Sequence, residues 1–494
     1  MKSLATRNIA RIVAAFFCAA AIVSHAQTFK YGQLTGITGA NPIGAPVQGL
    51  NGDLYGTTDL GGAYNSGVIY KLTPDGKYSK IYDFCSKSDC IDGQYPQGLI
   101  LAANGNLYGL TLGGGANNGG YCEIFGGCGT VFELTPSGQL ITLYSFCSQA
   151  NCADGAEPLR SLVQGVNGNF YGTTIDGGSH CMNCGTVFEI SPQGQFTSLH
   201  SFCSPQVCKD GSQPEAGLVL ASDGNFYGTT SAGGAFDDGT VFKMTPGGTG
   251  SILHSFCSEA NCADGASPQA ALIQGTDGNL YGTTAGGGAY LEGVVFQLTL
   301  GGTFTTLHAF CSEANCADGQ TPFAPVMQAN DGSFYGTTAS GAALGSIFEM
   351  TPDGTVTTLY NFCVTGYCLD GYDPLSGLTQ YTDGRFYGSA NVGGIINRKL
   401  CPSGCGTIYQ LSMGLGPLVI ANPQFAKIGQ KINILGTSLT GATSVTFNGT
   451  PATDFTVTDT YIRATVPTGA TSGIVQVTTP SGTLSTVFAF QVLP

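Results

Sequence analysis

One short stretch, Gly168-Asn169-Phe170-Tyr171-Gly172-Thr173-Thr174, constrains this chain more than any other feature, because it keeps returning. Its Tyr-Gly pair falls at Tyr55, Tyr108, Tyr171, Tyr227, Tyr281, Tyr335 and Tyr387, at intervals of 52 to 63 residues. A period of this size means copies of one small unit, each burying its apolar face against the next.

The unit between Pro158 and Cys203 shows what is repeated. Residues 161–165 form a short apolar strand, a. Asn167-Gly168 is a hairpin turn, and Asn169 to Thr174 is strand b. Asp176-Gly177-Gly178 opens a loop. Gly185 to Ile190 alternates as strand c. Ser191-Pro192-Gln193-Gly194 turns the chain into strand d, Gln195 to Phe202. Four antiparallel strands, seven times over, predict an all-β chain built as a seven-bladed β-propeller. A right-handed β-helix is the rival, but it uses shorter coils and fewer hairpins.

The two ends of the repeat region predict how the ring closes. Unit seven has strands near Leu375–Gln380, Arg385–Ser389 and Gly406–Leu411, and the residues beyond Leu411 are needed for a separate C-terminal module. Gly39-Ala40-Asn41-Pro42 aligns with Gly155-Ala156-Glu157-Pro158, so Thr28 to Leu34 is a strand d with no unit of its own. It is expected to complete blade seven and remove the open edges. Residues 416–494 change texture: no Cys, many Thr and Val, and short strands that suit an immunoglobulin-like β-sandwich.

Residues 1–26 read as a signal peptide, with Lys2, Arg7 and Arg11 before the apolar run Ile12 to Val23, and Ser24-His25-Ala26 for cleavage. The expected domains are therefore 1–26, 27–413 and 416–494. Losing three bases takes the net charge from −14 to −17. That argues against nucleic acid and anionic membranes as partners. Apart from Cys18 in the leader, the Cys residues form nine close pairs, six of them C-x4-C. Behind a signal peptide, these read as disulfides of an oxidising compartment. His180-Cys181-Met182-Asn183-Cys184 resembles half a zinc site, but no second half is near, so no metal or cofactor is expected.

The stretch Asp223-Gly224-Asn225-Phe226-Tyr227-Gly228-Thr229-Thr230, then Gly233-Gly234, then Gly239 to Pro246, resembles the GloVer-type tandem repeat of the choice-of-anchor proteins. The resemblance spans roughly residues 45–413 and implies a bacterial exported or surface protein. Residues 416–494 resemble an IPT/TIG domain, carried by Pro417, Asn422-Pro423, Gly429, Ile434-Leu435-Gly436, Ser444 to Gly449 and Val466-Pro467. No apolar helix or sorting motif follows the sandwich. The protein is expected to be secreted, whether periplasmic, extracellular or at the cell surface, without a membrane span after signal cleavage, and monomeric.

Up-and-down connectivity puts all nine Cys pairs in the b→c and d→a loops, at one end of the strands. Six Asp in the same loops (Asp92, Asp154, Asp210, Asp264, Asp318 and Asp370) recur before Gly and read as turn residues. They are too dispersed to share one calcium. His200, His254 and His308 replace Tyr82, Tyr144 and Tyr360 at the end of strand d, which marks them as packing groups rather than bases. Function breaks symmetry, and units two, three and seven carry enlarged b→c loops. Tyr121, Glu123, Phe125, His180, Arg398 and Lys399 are the candidate ligand-binding residues there, fitting a glycan or a surface protein. A secreted or cell-surface binding and scaffold protein is the favoured function. An extracellular carbohydrate-active lyase or hydrolase is the alternative. Glu123 and His180 would be its acid and base, and no catalytic residue is assigned.

Overall fold

The computed structural model describes residues 30–34, 39–117, 122–203, 207–364, 367–394 and 404–494. The expected signal peptide lies outside them. Among the described residues the protein is all-β, with only short 3-10 turns, and no helix is long and apolar enough to cross a membrane.

The repeats form seven small antiparallel sheets. Sheet one comprises Gly39–Gln48, Leu54–Gly61, Val68–Leu72 and Tyr78–Asp83 as strands a to d. Sheet four comprises Val219–Leu220, Phe226–Thr230, Thr240–Met244 and Gly250–Ser255. In sheet three, strand a comes in two pieces, Ala156–Pro158 and Val163–Gln164. Sheet seven takes Thr379–Gln380, Phe386–Ala390 and Thr407–Ser412 from its own unit. Its fourth strand is Lys30–Leu34, antiparallel to Thr407–Ser412 with Lys30 opposite Ser412 and Leu34 opposite Ile408.

The Tyr-Gly pair has a packing cause. A Cβ on Gly228 would stand 2.6 Å from the Phe242 ring and 2.8 Å from Leu218, so only glycine lets the strand-c Phe lie across strand b. The Tyr beside it seals one sheet to the next. Tyr108 lies 4.1 Å from Phe170 between ring centroids, Tyr171 4.1 Å from Phe226, and Tyr281 4.3 Å from Phe334. The buried clusters accordingly run across sheet boundaries. Such aromatic pairs add to the area they bury, by about 0.5–1.5 kcal/mol each.

Backbone bonds link the sheets in series. The residue before each strand-a Pro donates its N–H to a carbonyl just before strand c of the preceding sheet. Tyr95 bonds Ser66, Glu157 bonds Cys128, Gln213 bonds Cys184, Ser267 bonds Asp238, Thr321 bonds Glu292 and Asp373 bonds Leu344, at 2.8–3.1 Å. Asn41 of sheet one bonds Cys405 of sheet seven at 3.0 Å, so the last sheet is joined to the first. The first strands converge. Gly98 N–H donates to Arg160 C=O at 2.7 Å, and a Cβ on Gly217 would lie 3.0 Å from Ser161. The fourth strands instead turn side chains to solvent.

The C-terminal residues form a sandwich. One sheet holds Ile420–Asn422, Lys431–Leu435, Tyr461–Thr465 and Phe455–Val457, and the other holds Ser444–Phe447, Thr450–Pro451, Val475–Thr479 and Gly482–Ser485. Val445, Phe447, Ile462, Val477 and Phe490 are buried between them. The first strand starts at Ile420 rather than Pro417, because Leu418 N–H is bonded to Thr382 C=O at 3.0 Å in the sheet-seven turn. Further bonds fix the sandwich to the a→b turns. Thr460 Oγ1 donates to Leu50 C=O (2.6 Å), Asn422 Nδ2 to Leu101 C=O (3.1 Å) and Asn433 Nδ2 to Ala103 C=O (3.1 Å). A cleft of about 240 Å³ remains between Met327, Leu378 and Gln380 on one side and Leu418 and Phe488 on the other.

Candidate functional site

The sandwich occupies the turn end of sheets one, two and seven. The opposite end, carrying the b→c and d→a loops, has no such cover among the described residues. Eight disulfides lie in those loops, from Cys85–Cys90 to Cys363–Cys368. Cys181 and Cys184 are one of them, which answers the zinc-like motif. Cys405 is also disulfide-bonded, and Cys401 lies outside the described residues.

Beneath the disulfides is a buried couple that sequence reasoning separated into two unrelated features. His254 Nε2 is 3.0 Å from Asp264 Oδ2, which also accepts from Ser258 N–H at 3.0 Å and Ser258 Oγ at 2.7 Å. Glu259 N–H donates to the other oxygen at 3.2 Å. Sheets three and five repeat the His–Asp pair at 3.0 Å as His200–Asp210 and His308–Asp318. In sheets one, two and six a Tyr hydroxyl takes the same place: Tyr82 to Asp92 (2.7 Å), Tyr144 to Asp154 (2.7 Å) and Tyr360 to Asp370 (2.8 Å). Burial alone would push Asp264 up, but the bonds from Ser258 and Glu259 outweigh it and hold the carboxyl below its usual range. Burial also lowers His254, favouring the neutral ring. Tyr and His interchange because each supplies one donor. The donors occupy the carboxylate lone pairs, so these Asp brace the cysteine loops. A spacing of ten residues between the aromatic and the Asp, six times over, was the available signal.

The symmetry-breaking candidates are only partly visible. Tyr121, Arg398 and Lys399 lie outside the described residues. Glu123 and Phe125 share a single 3-10 turn. Glu123 is exposed, while Phe125 is half-buried, edge-on to Tyr95 at 6.2 Å. His180 is exposed, with Nδ1 3.3 Å from Ser179 Oγ. Among the described residues, no hydrogen bond or ion pair joins Glu123 to His180.

Two other sets of loop-end residues differ from sheet to sheet. First, each b→c loop of sheets one to six raises at least one large apolar side chain into solvent, and that of sheet five raises Leu291 beside Tyr290. Taken one to a sheet, they are Tyr64, Ile124, Met182, Phe236, Tyr290 and Leu344, 49% to 89% exposed. Four of them stand nine residues after the strand-b Tyr, a regularity readable in the sequence. Second, three carboxyls beside the first and second strands are raised by burial. Asp59 is pushed up to about 6 by burial. Glu157 is pushed up to about 7, by burial first and the Asp176 charge second. Burial also raises Asp373. Carboxyls of this kind can hold a proton near neutral pH. One position of strand c holds Lys71, Glu189 or Lys243 in different sheets, and it is locally paired. Lys71 meets Asp53 at 3.0 Å, Lys243 meets Asp223 at 2.8 Å, and Tyr171 Oη donates to Glu189 at 2.9 Å.

These features define a tandem-repeat all-β protein with a braced loop end and an immunoglobulin-like module on the opposite end. The chain belongs to the Gloeobacter/Verrucomicrobia repeat family, which matches residues 21–219 and again 205–409. The IPT/TIG domain matches residues 421–492. No curated protein matches the chain. Among solved structures it is similar to the extracellular domains of two B. thetaiotaomicron proteins assigned to hybrid two-component systems. One shares 12% identity at a TM-score of 0.49, over 94% of this chain and 55% of that one. The other shares 10% at 0.46, over 94% and 58%. The chain thus spans little more than half the length of either domain. A Bacteroides uniformis protein assigned as a 6-phosphogluconolactonase shares 15% at 0.42, over 71% and 96%.

Proposed function

We propose that this protein is a secreted or cell-surface carbohydrate-binding scaffold whose working surface is the loop end of a seven-bladed propeller. In this reading residues 1–26 direct export, 27–413 form the ring closed by Lys30–Leu34, and 416–494 form the sandwich. The serial bonds from sheet to sheet, and from Asn41 back to Cys405, support the ring. Nine Cys pairs support an oxidising compartment. The sandwich on the turn end leaves the loop end for a ligand.

The observation that carries the reading is the set of exposed tips. Three of the six are aromatic, Tyr64, Phe236 and Tyr290, and rings held in solvent on a braced scaffold suit the apolar faces of sugars. Glu123 and Phe125 flank the Ile124 tip and His180 stands two residues before the Met182 tip; the reading also takes in Tyr121, Arg398 and Lys399, which lie outside the described residues. A glycan array probed with wild type and with the Tyr64→Ser/Phe236→Ser/Tyr290→Ser variant tests this. Wild type is expected to retain a defined set of glycans, and the variant to lose them at an unchanged melting temperature. Retention of no glycan overturns the carbohydrate reading and leaves a protein partner.

Catalysis is the second reading, favoured by Glu157 and Asp59 and not by Glu123 and His180. Half-buried carboxyls poised near 6 to 7 are the kind that serve as general acids.

A further inference from the structure

We propose that Arg160 is the recognition residue of an anion site at the convergent edges of the sheets, taking a ligand that carries a single carboxylate. Strand-b hydroxyls mark the equivalent position in the other sheets. Thr57 Oγ1 donates to Gln97 C=O at 2.7 Å, Thr173 to Ala216 at 2.8 Å, Thr229 to Ala270 at 3.2 Å and Thr283 to Ala324 at 3.1 Å. Thr337 reaches Ser376 C=O at 3.1 Å in the same way. Sheet three alone places an arginine there. Sheet two has Leu110 where the donating Thr would stand, so the Arg160 carbonyl takes the Gly98 N–H instead.

Two features mark Arg160. Its backbone is left-handed, at φ 70°, where its sheet-one counterpart Gly44 is left-handed at φ 74°; a side chain other than glycine adopts that conformation at a cost. Its Nε is shielded from solvent with no hydrogen-bond partner. The guanidinium forms no ion pair among the described residues. Glu215 on the neighbouring strand is near enough to favour its charge, yet Glu215 accepts from Ser231 Oγ at 2.7 Å rather than from Arg160. A cationic side chain whose Nε is shielded and unpartnered is costly and calls for an anion. A carboxylate matches its fork of donors. The surroundings select the charge: with the Glu215 carboxylate near enough to act on Arg160, this one cation suits a monoanion better than a dianionic phosphate.

The site rests on the loop-end reading above but not on the exposed tips. Calorimetric titration of wild type, the tip variant and Arg160→Met with D-glucuronate, D-glucose and inorganic phosphate at pH 7 tests it. Glucuronate is expected to bind wild type and the tip variant alike, and glucose to bind neither. Arg160→Met is expected to lose about tenfold or more in affinity. It is also expected to melt no lower than wild type, since it removes an unpaired charge. Glucuronate binding that survives Arg160→Met, or no binding to wild type, overturns the proposal. Phosphate binding tighter than glucuronate overturns the ligand class. Failure of the glycan array with glucuronate binding intact counts against the tips alone.

Discussion

Within one d→a and b→c loop pair, Asp264 and Phe236 are near in sequence but opposite in character. Asp264 is fully buried, accepts from three residues and has a counterpart in five other sheets. Phe236 stands in solvent, and its counterparts change from Tyr to Ile, Met and Leu. The first kind of residue gives each loop one shape. The second kind uses that shape to present a different surface from each sheet. A residue that recurs in every unit of this chain therefore reports on folding, and the informative chemistry lies where the recurrence stops.

Removing a member of the buried couple has the largest expected effect. Asp264→Ala orphans the donors of His254, Ser258 and Glu259, and is expected to cost about 2–4 kcal/mol in urea unfolding. His254→Tyr sharpens the point. It restores a hydroxyl donor like that of Tyr144, and is expected to cost less than about 1 kcal/mol. Equal losses would mean that the ring, not the hydrogen bond, is what the position requires.

A smaller effect is expected at Glu157. Its folded carboxyl titrates near 7 and its unfolded one near 4.5, so the folded state binds the extra proton in between. The stability this provides is complete below about 4.5 and is lost as pH rises through about 7. Asp59 acts in the same direction at somewhat lower pH. Glu157→Gln cannot ionise, so its melting temperature relative to wild type is expected to rise from about pH 5 to about pH 8. A constant difference across that range would contradict the burial argument.

The sheets were legible because strand alternation, Asn-Gly turns and the Tyr-Gly period are local signals, each tied to a short-range cause such as the ring of Phe242 over Gly228. The couple of His254 with Asp264 was not legible in the same way, because a loop closed by a disulfide brings position i+10 back onto the strand. Arg160 left no local signal at all. Its importance depends on Leu110 in another sheet and on a missing partner, and neither is visible before strands are placed side by side. The candidates chosen for enlarged loops, Glu123 and His180, are exposed and unjoined among the described residues. Loop length indicates where symmetry breaks but not where groups converge.

Hydrogen exchange of the chain, with and without a glycan it retains, tests the central claim most directly. The account predicts protection confined to the loop end: the b→c segments 61–66, 178–183, 234–238, 288–292 and 342–345. The turns at 102–106 and 221–225 and the sandwich from 420 onward should stay unchanged. Protection centred on those turns or on the sandwich, with the b→c segments unaltered, would contradict it.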